Sequence, residues 1–183
     1  HTRLQGDWSS DVCSSDLSMI ADLLHKYDLS PERLTVEITE SVMMDESEET
    51  MNVLAAIRKL GVGLSMDDFG TGFSSLSRLT RLPLTEIKID RSFIMNLEHD
   101  ANAQAVTTAV IGIGNRLGMT VVTEVVETEA QYELLESLHC DVMQGYLFAK
   151  PMAPKDLETW FRQPRMINSP QPVATAAPTV SSA

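Results

Sequence analysis

Five β-rich stretches alternate with amphipathic helical ones through this chain, and each strand carries ionisable or amide side chains toward its C-terminal end. The strands read RLTVEITES, VGLSMDDF, TEIKIDRSF, MTVVTEVVE and DVMQGYLFA. Before the first lies SMIADLLHKYDL, with Ile20, Leu23 and Leu24 on one side. SEETMNVLAAIRKLG sets Met51, Leu54, Ile57 and Leu60 in one stripe, and Gly61 stands where a C-terminal glycine ends a helix. SSLSRLTRL is a short helix stopped before Pro83. ANAQAVTTAVIGIGNRLG aligns Val106, Val110, Ile113 and Leu117 ahead of Gly118. TEAQYELLESLH aligns Tyr132, Leu135 and Leu138, and PKDLETWFRQ is a closing helix. Such alternation predicts an α/β fold of parallel strands joined by right-handed crossovers.

Two architectures satisfy that rhythm, an open doubly wound sheet and a closed barrel. In TVEIT, alternation puts Thr35, Glu37 and Thr39 on one face and Val36 and Ile38 on the other. In EIKID, Glu86, Lys88 and Asp90 oppose Ile87 and Ile89. An open sheet carries helices on both faces and needs apolar residues on both. A polar face repeated strand after strand fits the lumen of a barrel, with its site at the C-terminal rim.

The rim residues fall in chain order. Glu37 and Glu40 end the first strand, Asp67 and Asp68 the second. Lys88 and Asp90 lie in the third, Glu124 and Glu127 in the fourth, and Gln144 in the fifth. Each has an ordinary structural explanation. A Glu at a strand end is commonly a solvated loop residue, TES is a usual helix start capped by Thr39 or Ser41, and Lys88 could pair with Glu86 or Asp90. Repetition favours a functional site: four successive strands end in carboxylates with a lysine among them, and carboxylates crowded at one rim repel unless cations neutralise them. His25, His99 and His139 lie in helix or loop segments, so the donors are hard oxygens. That set favours Mg²⁺ or Mn²⁺ over Zn²⁺.

The 183 residues are 43% apolar, which suits one domain of ordinary size. The formal net charge of -12 argues against a nucleic-acid polymer and against an anionic membrane surface as partners. Cys13 and Cys140 have no paired spacing. No apolar run is long enough to span a bilayer and no basic-then-apolar leader is present, so the expected compartment is the cytoplasm. Residues 1–17, HTRLQGDWSSDVCSSDL, show neither helical nor strand periodicity, and GDWSSDVCSSDL resembles a translated sequencing adaptor. On that reading Trp8 and Cys13 carry no meaning. Residues 164–183 are rich in Pro, Ala, Ser and Thr and read as a disordered tail. The informative core is 18–163.

Across that core the chain resembles the EAL-type cyclic-di-GMP phosphodiesterase domain. The resemblance is carried, in the family's order, by VEITES, DDFGTGFSSL, IKIDRSF, VVTEVVET and MQGYLFAKPM. It implies a modified TIM (β/α)8 barrel, here about the last five βα units. It also implies a two-metal site using Mg²⁺ or Mn²⁺ that hydrolyses one phosphodiester of cyclic di-GMP to give linear pGpG. By resemblance, Glu37 is a metal ligand, Asp67 bridges two metals and Asp68 serves the second. Lys88 positions the attacking water and offsets phosphoryl charge. Glu124 is a ligand of the second metal or the general base. Gln144 and Glu127 support the site, and Glu40 braces the DDFGTGFSS loop through a hydroxyl such as Thr71. Homodimers and upstream sensory or GGDEF-type domains belong to the same expectation.

The chemistry agrees with these assignments. Phosphodiesters resist attack because their anionic oxygens repel nucleophiles, and paired divalent ions neutralise that charge and acidify a water. Two departures stand against the resemblance. The namesake Glu-Ala-Leu motif and an early Asn ligand, expected upstream of VEITES, are absent, and eight strands usually need about 250 residues. The expectation is therefore a truncated, inactive barrel with exposed sheet edges. The alternative is a degenerate domain that binds cyclic di-GMP or a protein without hydrolysis. The second departure is Val125, where the family commonly has Gly.

Overall fold

Strand and helix alternate as the sequence requires. The computed structural model describes residues 2–5, 14–39, 42, 47–70 and 76–162. In chain order these form β1 (Thr2–Gln5), α1 (Ser14–Lys26), a single 3-10 turn (Pro31–Arg33), β2 (Leu34–Ile38), α2 (Glu48–Lys59) and β3 (Gly63–Phe69). Then follow α3 (Leu76–Leu79), β4 (Glu86–Ile89), α4 (Arg91–Met95), α5 (Ala101–Leu117), β5 (Thr120–Thr123), α6 (Glu129–Ser137), β6 (Val142–Met143) and α7 (Pro154–Arg162). All six strands pair in parallel and in sequential order, β1 to β6. That is the strand order of a TIM-barrel wall, and the fold class is α/β as expected.

Local chemistry sets the helix ends. Ser47 accepts the Thr50 N–H at the start of α2, Glu48 and Glu49 fill its first turn, and Arg58 and Lys59 its last. Asp100 caps α5 in the same way, and Gly118 ends it at φ 69°, a left-handed conformation that glycine adopts without strain. Gly114 lets α5 lie close on β5, since a Cβ there would come within 2.2 Å of the Val121 side chain.

Register explains the two faces of the sheet, because Cα partners in a parallel pair share a face. Val36, Ile38, Leu64, Met66, Ile87, Ile89 and Val121 join one buried apolar cluster with Leu54 and Ile57 of α2, Val110 and Ile111 of α5 and Leu135 of α6. The opposite face carries Glu37 beside Ser65 and Ser65 beside Glu86. Glu37, Ser65 and Lys88 are buried there as well, so the polar face is an interior one.

The structure departs from the sequence reading in several places. A sixth strand, Thr2–Gln5, lies in the segment read as extraneous, and α1 begins at Ser14. Edge pairing uses backbone groups alone, and four residues are too few to show a period. Trp8, Cys13 and the tail 164–183 fall outside the described residues. TEIKIDRSF is not strand throughout: β4 stops at Ile89, and Asp90 becomes the N-cap of α4. In β5 the inward-facing position beside Lys88 is Val122 rather than a polar residue. Leu23 and Leu117, read as stripe residues, are exposed, while Thr107, Ile111 and Gly114 complete the buried face of α5.

Candidate active site

Three strands and the residue just past a fourth deliver one charged cluster. The Lys88 ammonium lies 2.7 Å from Glu124 Oε1, 2.8 Å from Asp67 Oδ1 and 3.2 Å from Glu37 Oε1. Lys88, Glu37 and Asp67 are 3%, 5% and 9% exposed, so solvent screens their charges poorly. Glu124 lies just past β5 and accepts a hydrogen bond of 2.7 Å from Gln144 Nε2, which lies just past β6. Burial alone would lower the Lys88 pKa. Hydrogen bonds to Asp67 and Glu124, and their charges, outweigh it and hold Lys88 above the ordinary lysine value. The group is an ammonium at neutral pH.

A bulge brings both aspartates to the rim. Met66 pairs with Ile87 and Phe69 with Ile89, so Asp67 and Asp68 together oppose Lys88. Strict alternation would send Asp68 into the apolar layer beneath the helices. The extra residue is taken up at Asp68, which has φ 55°, a left-handed conformation that Asp tolerates better than most residues. Phe69 thereby returns to the apolar side, where it is buried.

Asp68 is exposed at the rim and shares a hydrogen bond with Asp90. Partial desolvation, the neighbouring Asp67 charge and that hydrogen bond hold Asp68 above the usual carboxylate range. For Asp90, burial would raise the pKa. The Ser92 hydroxyl and N–H, followed by Asp68, outweigh it and hold Asp90 low.

Of the residues singled out in the sequence, Glu37, Asp67, Lys88, Glu124 and Gln144 converge, with Asp68 adjoining. Glu127 does not join them: it is exposed, and its backbone N–H rather than its carboxylate makes the contact seen, to Gln131 Oε1 at 2.8 Å. Glu40 and Thr71 lie outside the described residues. Asp90's capping role and Gln131 escaped the sequence reading. Thr128-x-x-Gln131, a capping-box spacing, was the available signal for the second.

Three carboxylates around one ammonium, with a fourth beside them, leave excess negative charge in a poorly solvated place. The donors are all hard oxygens, and their charge and type fit divalent cations of the Mg²⁺ or Mn²⁺ kind. Among the described residues no three acidic, His or Cys side chains stand as a ready-made metal cage; the Lys88 ammonium lies at the centre instead. Among those same residues no helix is long and apolar enough to cross a membrane.

A family profile described as EAL domain matches residues 9–151. The oxygen sensor protein DosP of Escherichia coli is 46% identical over 143 residues, covering 78% of this chain and 18% of DosP. The bifunctional diguanylate cyclase/cyclic di-GMP phosphodiesterase MucR of Pseudomonas aeruginosa is 43% identical over 159 residues, covering 82% of this chain and 23% of MucR. The MucR phosphodiesterase, solved as a c-di-GMP complex, superposes with a TM-score of 0.74 at 40% identity, over 80% of this chain and 59% of that one. Klebsiella pneumoniae BlrP1, solved with manganese and cyclic di-GMP, gives a TM-score of 0.71 at 33% identity, over 76% of this chain and 36% of that one. The chain thus spans about a fifth of the length of these two curated relatives.

Proposed function

Because this chain belongs to the EAL domain family, we propose that its charged rim hydrolyses cyclic di-GMP to linear pGpG with the help of two divalent ions, Mg²⁺ or Mn²⁺. The observation that carries the proposal is the convergence of Glu37, Asp67 and Glu124 on the Lys88 ammonium, with Asp68 beside them. Glu37, Asp67, Asp68 and Glu124 would hold the ions, Asp67 between them. When bound, the ions neutralise phosphoryl charge and acidify a water.

The side chains supply the rest. Lys88, kept protonated by its carboxylates, donates to a phosphoryl oxygen as negative charge grows there. It also orients the attacking water. Glu124 accepts a proton from that water, and Gln144 holds Glu124 in the orientation to do so. As the water oxygen bonds to phosphorus the bond to the leaving oxygen breaks, the leaving alkoxide takes a proton from solvent, and Glu124 returns to solvent the proton it accepted. In the same reading Glu127, Glu40 and Thr71 support the loops around the rim, and the protein acts in the cytoplasm.

The test is direct. The full-length protein that carries this sequence is incubated with cyclic di-GMP and Mg²⁺ or Mn²⁺, and pGpG is followed by chromatography. Release of pGpG is expected. Binding without release would replace hydrolysis with a receptor role.

A further inference from the structure

Gln131, in the first turn of α6, is only 5% exposed, and its side chain uses both its acceptor and its donor. Oε1 accepts the backbone N–H groups of Glu127, at 2.8 Å, and Thr128, at 3.2 Å. A helix cap accounts for these two, since Thr128 returns the bond to the Gln131 N–H at 3.1 Å. Capping does not account for the third. Gln131 Nε2 donates to the carbonyl of Ile94, 3.1 Å away in the last turn of α4. That bond joins two elements 37 residues apart in the chain.

Both elements it joins lead back to the rim. The other end of α4 is Asp90, whose backbone N–H donates to the carbonyl of Phe69, next to Asp68, at 3.4 Å. The backbone that Gln131 grips at 127–128 begins three residues after Glu124. Between them Val125 has φ 58°, a left-handed conformation that a β-branched residue adopts only where its surroundings impose it. The opposite side of this turn is also fixed. Val126 N–H donates to Gln144 O at 3.1 Å, and Val126 O accepts from Leu147 at 3.0 Å. Gly145 packs there so closely that a Cβ would come within 2.1 Å of the Val126 oxygen.

We propose that Gln131 is a positioning residue: it locks the strained turn carrying Glu124 against α4, and so fixes Glu124 relative to Asp68. This rests on the phosphodiesterase reading above. A side chain that ties the turn after Glu124 to the helix after Asp90 holds the two segments together more rigidly than either loop alone could.

Two variants of the full-length protein test it. Gln131→Glu keeps the acceptor oxygen for residues 127 and 128 but can donate to Ile94 only when protonated. Gln131→Leu loses every bond. With melting near that of the wild type, Gln131→Glu is expected to lower kcat about tenfold at pH 8 with KM within about twofold. Its activity relative to wild type should recover as the pH is lowered toward 6, and that of Gln131→Leu should not. Hydrogen exchange at the 126–128 amides should accelerate in Gln131→Leu. Wild-type kcat in both folded variants, or unchanged protection of those amides, would overturn the proposal. Accelerated exchange in a protein whose wild type releases no pGpG would instead overturn the phosphodiesterase reading and leave the lock standing.

Discussion

Lys88 stabilises this fold only while it is charged. Its pKa is raised, so the ion pairs are fully present below the ordinary lysine value and are lost as pH rises through the higher folded value. Stability should therefore show no lysine-linked loss from neutral pH to about pH 10. A denaturation midpoint that fell between pH 7 and 9 in wild type but not in Lys88→Met would contradict this. Val125 makes the opposite contribution. A β-branched residue at φ 58° is strained, and glycine is at ease there. Val125→Gly should raise stability by about 1 kcal/mol, or roughly 2–4 °C in melting temperature. A lower melting temperature would show that the Val125 side chain contributes more than its backbone costs. The sequence marked this position as one where the family commonly has Gly. The reason, a left-handed turn between Glu124 and Val126, became visible only with the backbone.

At the scale of the element, the bulge in β3 decides the site. Two adjacent aspartates serve one rim because the strand takes up an extra residue at Asp68. Asn tolerates the left-handed conformation at least as well as Asp but carries no charge. Asp68→Asn should thus stay within about 1 kcal/mol of wild-type stability while activity falls about 10–100-fold. Equal losses of folding and activity would mean that the residue serves the bulge rather than the chemistry. Period-two alternation made Glu37 and Lys88 legible as inward-facing residues. It could not foresee the bulge, since a slip of one residue leaves the sequence unchanged. It also ran the third strand through Asp90 to Phe93, where the Asp90 cap instead starts α4. The four residues of β1 pair through the backbone and leave no side-chain signature.

Across the whole molecule, the strand–helix rhythm made the parallel strands legible, and the repeated polar face pointed to the interior rim. The described sheet has β1 and β6 at its two edges. Val142 in β6 and Tyr146 and Phe148 just after it expose apolar surface, as do Leu157 and Phe161 in α7. Exposed strand edges beside apolar side chains favour association. The 183-residue chain expressed alone should accordingly self-associate and hydrolyse cyclic di-GMP poorly. A stable, active monomer by light scattering and turnover assay would contradict that expectation. If the carboxylates around Lys88 form a metal-dependent phosphodiesterase site, loss of the metal or of Asp67 abolishes turnover. The most direct test compares pGpG release by the full-length wild type and its Asp67→Ala variant, with Mn²⁺ and after chelation. Release is expected from wild type with Mn²⁺, and none after chelation or from Asp67→Ala while the variant remains folded. Near-normal release from folded Asp67→Ala, or release that survives chelation, would contradict it.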